Sequence, residues 1–137
     1  MQNLLIEASN TTPEIKFSPS EGIFHISGNS SPEDVRAIYY PVTEWIRIFV
    51  DDLLEGEYPQ FTKDSPMVFK VDLTYFNSSS AKFLFDIFSE LKRLTEANKP
   101  VIVEWFYDPD DLDQKEAGND IALLVEMNFS FIPKEAE

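Results

Sequence analysis

The chain has 137 residues, of which 43% are hydrophobic and twelve are Phe, enough for a compact core that needs no staples. It contains no cysteine, which excludes a disulfide framework, a thiolate zinc site and a cysteine nucleophile. Eleven Lys and Arg stand against 25 Asp and Glu, a formal charge of −14 that repels phosphate backbones and anionic lipid, so neither nucleic acid nor a membrane surface is an expected partner.

Met1 to Ala8 hold only a short apolar run, Leu4 to Ile6, without a basic lead-in. That pattern predicts neither a signal peptide nor a membrane span, and hence a cytoplasmic location. With no repeat and no linker-like stretch, residues 1–137 read as a single domain in which 1–10 form a loosely ordered arm. Glu14 to Phe17 and Gly22 to Ser27 are β-prone runs joined by Ser18-Pro19-Ser20-Glu21, an N-terminal hairpin closed off by Gly28-Asn29-Ser30-Ser31. A helix is expected from Ser31, with Pro32 in its first position and Asp34 as the acidic member of a capping box. Its buried stripe is Val35, Ile38, Val42, Trp45, Phe49 and Leu53, and Pro41 should kink or split it.

Alternation of Met67, Phe69, Val71 and Leu73 with Lys70 and Asp72 predicts a strand. Asn77-Ser78-Ser79-Ser80 then starts a helix that buries Leu84, Ile87, Phe88, Leu91 and Leu94 and stops at Asn98. Val101 to Tyr107, apolar at nearly every position, reads as a central strand covered on both faces. A helix from about Gln114 to Glu126, carrying Ala117, Ile121, Leu124 and Val125, and a strand from Asn128 to Ile132 complete the chain. The alternation predicts an α/β fold with a mixed, mostly parallel sheet and helices packed against it.

Candidate chemistry is sparse. His25 is the only histidine and lies inside a predicted strand, where it reads as structural rather than as a catalytic base. Four glycines form neither a dinucleotide fingerprint nor a P-loop, and no cofactor is expected. Asp108-Pro109-Asp110-Asp111-Leu112-Asp113 fails the calcium-loop template, lacking the required glycine and terminal Glu. Asp108, Asp110 and Asp111 therefore stand as weak metal candidates beside their role as a solvated, helix-leading turn. A metal-dependent hydrolase on this loop is the alternative from another function class. The remaining candidate is Tyr75-Phe76-Asn77-Ser78-Ser79-Ser80, where a buried strand turns into an amphipathic helix. One residue suffices to cap a helix, yet three hydroxyls meet this end, where unpaired N–H groups and the helix dipole tolerate a phosphate.

In Thr12-Pro13, Ser30-Ser31-Pro32-Glu33, Trp45, the Tyr75 to Ser80 segment and Trp105-Phe106-Tyr107-Asp108, taken in order, the sequence resembles the SiaC-type bacterial regulatory phosphoproteins. Their fold is like the STAS domain of anti-anti-sigma factors. The resemblance spans roughly residues 11 to 132. It implies a non-enzymatic partner switch in which a serine kinase adds a phosphate, a PP2C-type phosphatase removes it, and the unmodified form engages a target. In the family's best-known branch that target is a diguanylate cyclase, which makes cyclic-di-GMP. The family's phosphoacceptor directly follows the Asn, which is Ser78 here, with Ser79 and Ser80 as alternatives; this chain has Ser where that branch has Thr. Tyr75, Phe76, Asn77, Ser78, Ser79 and Lys82 are the expected partner-binding residues. A constitutive adaptor without phosphorylation is the other alternative.

Overall fold

The computed structural model describes residues 2–135. The chain runs β1 (Leu4–Ile6), β2 (Glu14–Ser18), a single 3₁₀ turn (Pro19–Glu21), β3 (Ile23–Ser30), α1 (Val35–Leu54), β4 (Met67–Phe76), α2 (Ser78–Glu96), β5 (Val101–Tyr107), α3 (Leu112–Val125) and β6 (Phe129–Pro133). All six strands form one sheet in sequential order. β1, β2 and β3 pair antiparallel, and β3 through β6 pair parallel. The expected α/β architecture is thus the one observed. The stretch read as a loose arm is not entirely so: Leu4–Ile6 pairs with Phe17–Ile15, and the Trp45 indole N–H donates to the Gln2 carbonyl at 2.8 Å.

Three successive parallel crossovers step the same way along the sheet, and crossovers of the usual right-handed sense then return to the same side each time. All three helices therefore cover one face. The core lies between them and Ile15, Phe17, Phe24, Ile26, Phe69, Val71, Val103 and Trp105. This corrects the expectation that β5 is covered on both sides. Ile102 is 37% exposed and Glu104 pairs with Lys70 at 4.0 Å on the open face. The near-continuous apolar run arose because Ile102 and Phe106 are apolar residues on a half-covered surface, a choice that β-propensity favours without requiring burial.

Helix boundaries shift for local reasons. α1 starts at Val35, its N-cap being Asp34, whose carboxylate accepts from the Ala37 N–H at 3.2 Å. The expected cap, Ser31, instead donates to Asn29 at 2.8 Å. The helix runs without a break through Pro41. Its buried face is also wider than the stripe read from the sequence, adding Tyr39, Ile46 and Val50. α2 keeps its expected start and buried stripe, and Asn98 follows its end in the left-handed region at φ 61°. In α3, Ile121 and Val125 are buried as expected but Leu124 is 70% exposed. Gly118 takes its place, facing Trp105 so closely that a β-carbon would sit 2.5 Å from the indole.

Candidate functional site

Parallel strands deliver their following loops to one edge of the sheet, the edge at which open α/β folds build their sites. Here the residues after β3, β4 and β5 meet there, joined by the β1–β2 connection through a Ser31 N–H to Thr11 carbonyl bond of 2.9 Å. The β4–α2 junction lies in the middle of that edge because β4 lies between β3 and β5.

The junction is shaped by one extra residue. Gly28 pairs with Leu73 but Asn29 pairs with Tyr75, so Thr74 has no partner position and forms a bulge, its hydroxyl donating to the Gly28 carbonyl at 3.1 Å. A bulge inverts the alternation of side chains beyond it. Phe76 consequently turns into the helix layer, edge-on to Trp105 at 5.8 Å between ring centroids, and Tyr75 turns outward at 54% exposure. Of the expected partner-binding residues, Tyr75, Ser78, Ser79 and Lys82 are exposed, Asn77 is half-buried, and Phe76 packs inward.

The three serines that follow have three different environments. Asn77 is the N-cap of α2, its Oδ1 accepting the Ser80 N–H at 2.9 Å and the Ser79 hydroxyl at 3.1 Å. Ser80 is fully buried. Its hydroxyl donates to the Ser30 carbonyl at 3.0 Å and accepts from the Ser30 hydroxyl at 2.8 Å. Ser78 occupies the first helical position, exposed, and its hydroxyl is not drawn into the bonds that tie its two neighbours. Its own N–H and that of Ser79 belong to the unpaired first turn, so this end of α2 presents donors and the positive end of the helix dipole to any anion.

Around the junction the surface is mixed. Lys82, one turn along α2 from Ser78, lies 5.7 Å from the centroid of the Phe83 ring, and Tyr40 of α1, 56% exposed, meets the same ring edge-on at 5.7 Å. Sequence reasoning missed Tyr40, because Pro41 next to it drew attention to a helix break. It also missed Tyr39, whose phenol lies 2.6 Å from the Ser30 hydroxyl. Burial pushes the Tyr39 phenol above its ordinary value, partly offset by the neighbouring Ser30 and Ser80 hydroxyls.

The acidic turn frames the site from the β5 side. Asp108 accepts the Asp110 N–H at 2.9 Å and Asp111 caps α3 through the Gln114 N–H at 3.3 Å, so two of the three candidate ligands are committed to the backbone. Among the described residues no group of three or more His, Asp or Glu side chains is placed to hold a metal ion. Gln114 fastens the turn to the sheet: its carbonyl oxygen accepts the Asp108 N–H at 2.7 Å and its amide donates to the Leu73 carbonyl. His25 stands on the open face of the sheet opposite Lys16 and Lys70, remote from the serines.

Comparison with known proteins places the chain. The family model described as "SiaC family regulatory phosphoprotein" matches residues 6–134. The chain belongs to the SiaC family of regulatory phosphoproteins. It is 29% identical over 108 residues to an uncharacterized protein of Pseudomonas aeruginosa strain UCBPP-PA14, covering 79% of this chain and 78% of the relative. Its fold is that of SiaC from Pseudomonas aeruginosa. The crystal structure of apo-SiaC superposes with a TM-score of 0.80 at 24% identity over 96% of this chain and 99% of the other. A second SiaC structure gives 0.74 at 25% identity over 98% of each chain. SiaC as the activator in complex with the diguanylate cyclase SiaD gives 0.81 at 24% identity, over 96% of this chain and 99% of that one. Among the described residues no helix is long and apolar enough to cross a membrane.

Proposed function

We propose that this protein is a non-enzymatic regulatory partner of a diguanylate cyclase, acting in the cytoplasm and switched by reversible phosphorylation of Ser78. The observation that carries the reading is the environment of Ser78: an exposed, unengaged hydroxyl at the start of α2, between an N-cap Asn and a buried Ser80. Membership of a family of regulatory phosphoproteins supports it, as does the complex of the similar SiaC with a diguanylate cyclase.

The unmodified form offers Tyr75, Ser78, Ser79, Lys82 and Tyr40 as a docking surface, with apolar rings and one cation among hydroxyls. A serine kinase adds a dianion at Ser78 and a PP2C-type phosphatase removes it. The dianion carries about −1.5 to −2 charge, adds to an already acidic chain, and must be desolvated for a partner to close over it. Binding is lost without unfolding.

Titrating a diguanylate cyclase of the same cell with wild-type, Ser78→Ala and Ser78→Asp protein tests the switch. Wild type and Ser78→Ala bind alike, while Ser78→Asp binds at least about tenfold more weakly, the loss expected of one desolvated charge. Equal affinity of the Ala and Asp variants refutes it. Intact mass of protein from its native cell supplies the complement: a species heavier by one phosphate, abolished by phosphatase treatment. The acidic-loop hydrolase gains no support from the geometry, and calorimetry with Mg²⁺ and Ca²⁺ is expected to show no binding heat.

A further inference from the structure

The three buried hydroxyls beneath the junction form a chain whose direction follows from counting protons. Ser80 gives its proton to the Ser30 carbonyl and Ser30 gives its proton to the Ser80 oxygen. The 2.6 Å contact between Ser30 and Tyr39 must then be donated by the phenol. Every donor in the chain is used, and all three residues are completely buried.

Ser30 is the hub. Its carbonyl also accepts the Asn77 N–H at 3.0 Å, so a single residue at the end of β3 holds Asn77 on one side of the serine pair and Ser80 on the other. Ser78 and Ser79 are bracketed between those two anchors and have no direction to face but outward. Tyr39, stacked on Phe83 at 5.6 Å with rings 9° apart, ties the hub to α1.

We propose that Ser30 and Tyr39 are positioning residues that keep Ser80 out of the switch: by holding its hydroxyl inward beneath the exposed Ser78 and Ser79, they limit which hydroxyls a kinase can reach. The proposal rests on the phosphorylation reading above. Without this clamp the first turn of α2 frays, Ser80 swings out, and a buried hydroxyl becomes available at the same spot. Ser79 is already held back by its bond to Asn77.

The test uses the full chain as wild type, Tyr39→Phe, Ser30→Ala and Val103→Ala, the last a core truncation in β5 that lowers stability without touching the hydroxyl chain. Hydrogen exchange over residues 75–85 is read first. Tyr39→Phe removes a donor but leaves Ser30 and Ser80 bonded to each other, so exchange of the Asn77, Ser80 and Ala81 amides rises a few-fold. Ser30→Ala leaves the Tyr39 phenol without its acceptor and Ser80 with the residue-30 carbonyl alone, and the rise is about tenfold or more, the effect of one net hydrogen bond lost from a local opening. Val103→Ala, compared at equal distance from its own melting temperature, leaves this segment at the wild-type rate.

Each protein is then incubated with ATP and a serine kinase that modifies the wild type, and the phosphates are located by fragment mass spectrometry. Wild type and Val103→Ala carry phosphate at Ser78 and none at Ser80, whereas Tyr39→Phe and Ser30→Ala also carry it at Ser80. If the segment exchanges no faster in the two hydroxyl variants than in Val103→Ala, the clamp is refuted. Faster exchange with Ser80 still free of phosphate refutes its role in selectivity. A wild type that accepts no phosphate from any serine kinase tried overturns the phosphorylation reading instead, and exchange alone then judges the clamp.

Discussion

Placing a negative charge at Ser78 and at Ser80 should move stability in opposite directions, although the two positions are two residues apart. Ser78→Asp puts a carboxylate at the first exposed position of α2, where it meets unpaired N–H groups and the dipole, worth about 0.3–1 kcal/mol. It also gains Lys82 at i+4, worth about 0.2–0.5 kcal/mol. General repulsion from a chain of net charge −14 takes back part of this, screened beyond about 8 Å at physiological salt. The sum is a gain of roughly 0.5–1 kcal/mol, and for a chain of 137 residues about 1 kcal/mol shifts the melting temperature by roughly 3–4 °C. Ser80→Asp instead buries a carboxylate against the Ser30 carbonyl, acceptor facing acceptor, and deletes the hydrogen bond that the Ser80 hydroxyl donates there. An uncompensated buried charge costs about 3–5 kcal/mol, a drop of roughly 10–20 °C. Calorimetric melts at low salt and again at 0.5 M NaCl, roughly a fourfold rise over the physiological range, decide it. The Ser78 gain fades with salt and the Ser80 loss persists. Shifts of the same sign in both variants would show that the serines do not differ in environment and would undo the reasoning about the site.

The other expectations are simpler. Gly118→Ala should destabilise although Ala is the better helix former by about 1 kcal/mol, because its methyl would stand 2.5 Å from a Trp105 ring that is stacked on Phe129 and bonded to the Gln114 carbonyl at 3.1 Å; overpacking of about 1–3 kcal/mol wins, and a raised melting temperature would contradict it. The stability gained by keeping Tyr39 neutral is whole below the ordinary tyrosine value near 10 and is lost as pH rises through the higher folded value, so Tyr39→Phe should flatten the alkaline limb of a denaturation curve followed above pH 10. Asn77→Ala removes the acceptor for the Ser80 N–H and Ser79 hydroxyl and should cost about 1 kcal/mol in urea melts at unchanged m-value. Gln114→Ala should free the acidic turn from Leu73 and Asp108, visible as faster amide exchange at Asp108 with the core protected as before.

Much of this was legible in the residues because period and cap agreed. α2 has both an Asn cap and a clean helical stripe, and it appears where the sequence places it. What escaped was decided between elements rather than within them. The β4 alternation holds through Leu73 and then inverts, since Thr74 is extra only relative to the β3 register. No single-strand pattern carries that information. Likewise Ser30 looked like part of a closing turn, and its importance comes from partners nine and fifty residues away. β5 misled for a different reason: its residues suit a sheet surface whether or not a helix lies over it, and only the sequential strand order leaves that face bare. Leu4–Ile6 is too short to announce itself as a strand and forms because the β2 edge is there to pair with.

In the proposed switch the helix end that would accept the charge and the surface that would lose its partner are the same few residues, and this would separate the switch from damage. A modification that blocked docking by melting α2 would expose Phe83, Leu84 and Phe88, which are buried, and would mark the protein for degradation at each cycle. On the proposed reading a phosphate at Ser78 would favour the fold while disfavouring the interface. The modified form would then be at least as durable as the unmodified one, and removing the phosphate would return it to service. The buried hydroxyls serve the same end. On the same proposal they would keep the first turn in place while its outer side changes charge, so that chemistry at one oxygen would be read by the partner and not by the core.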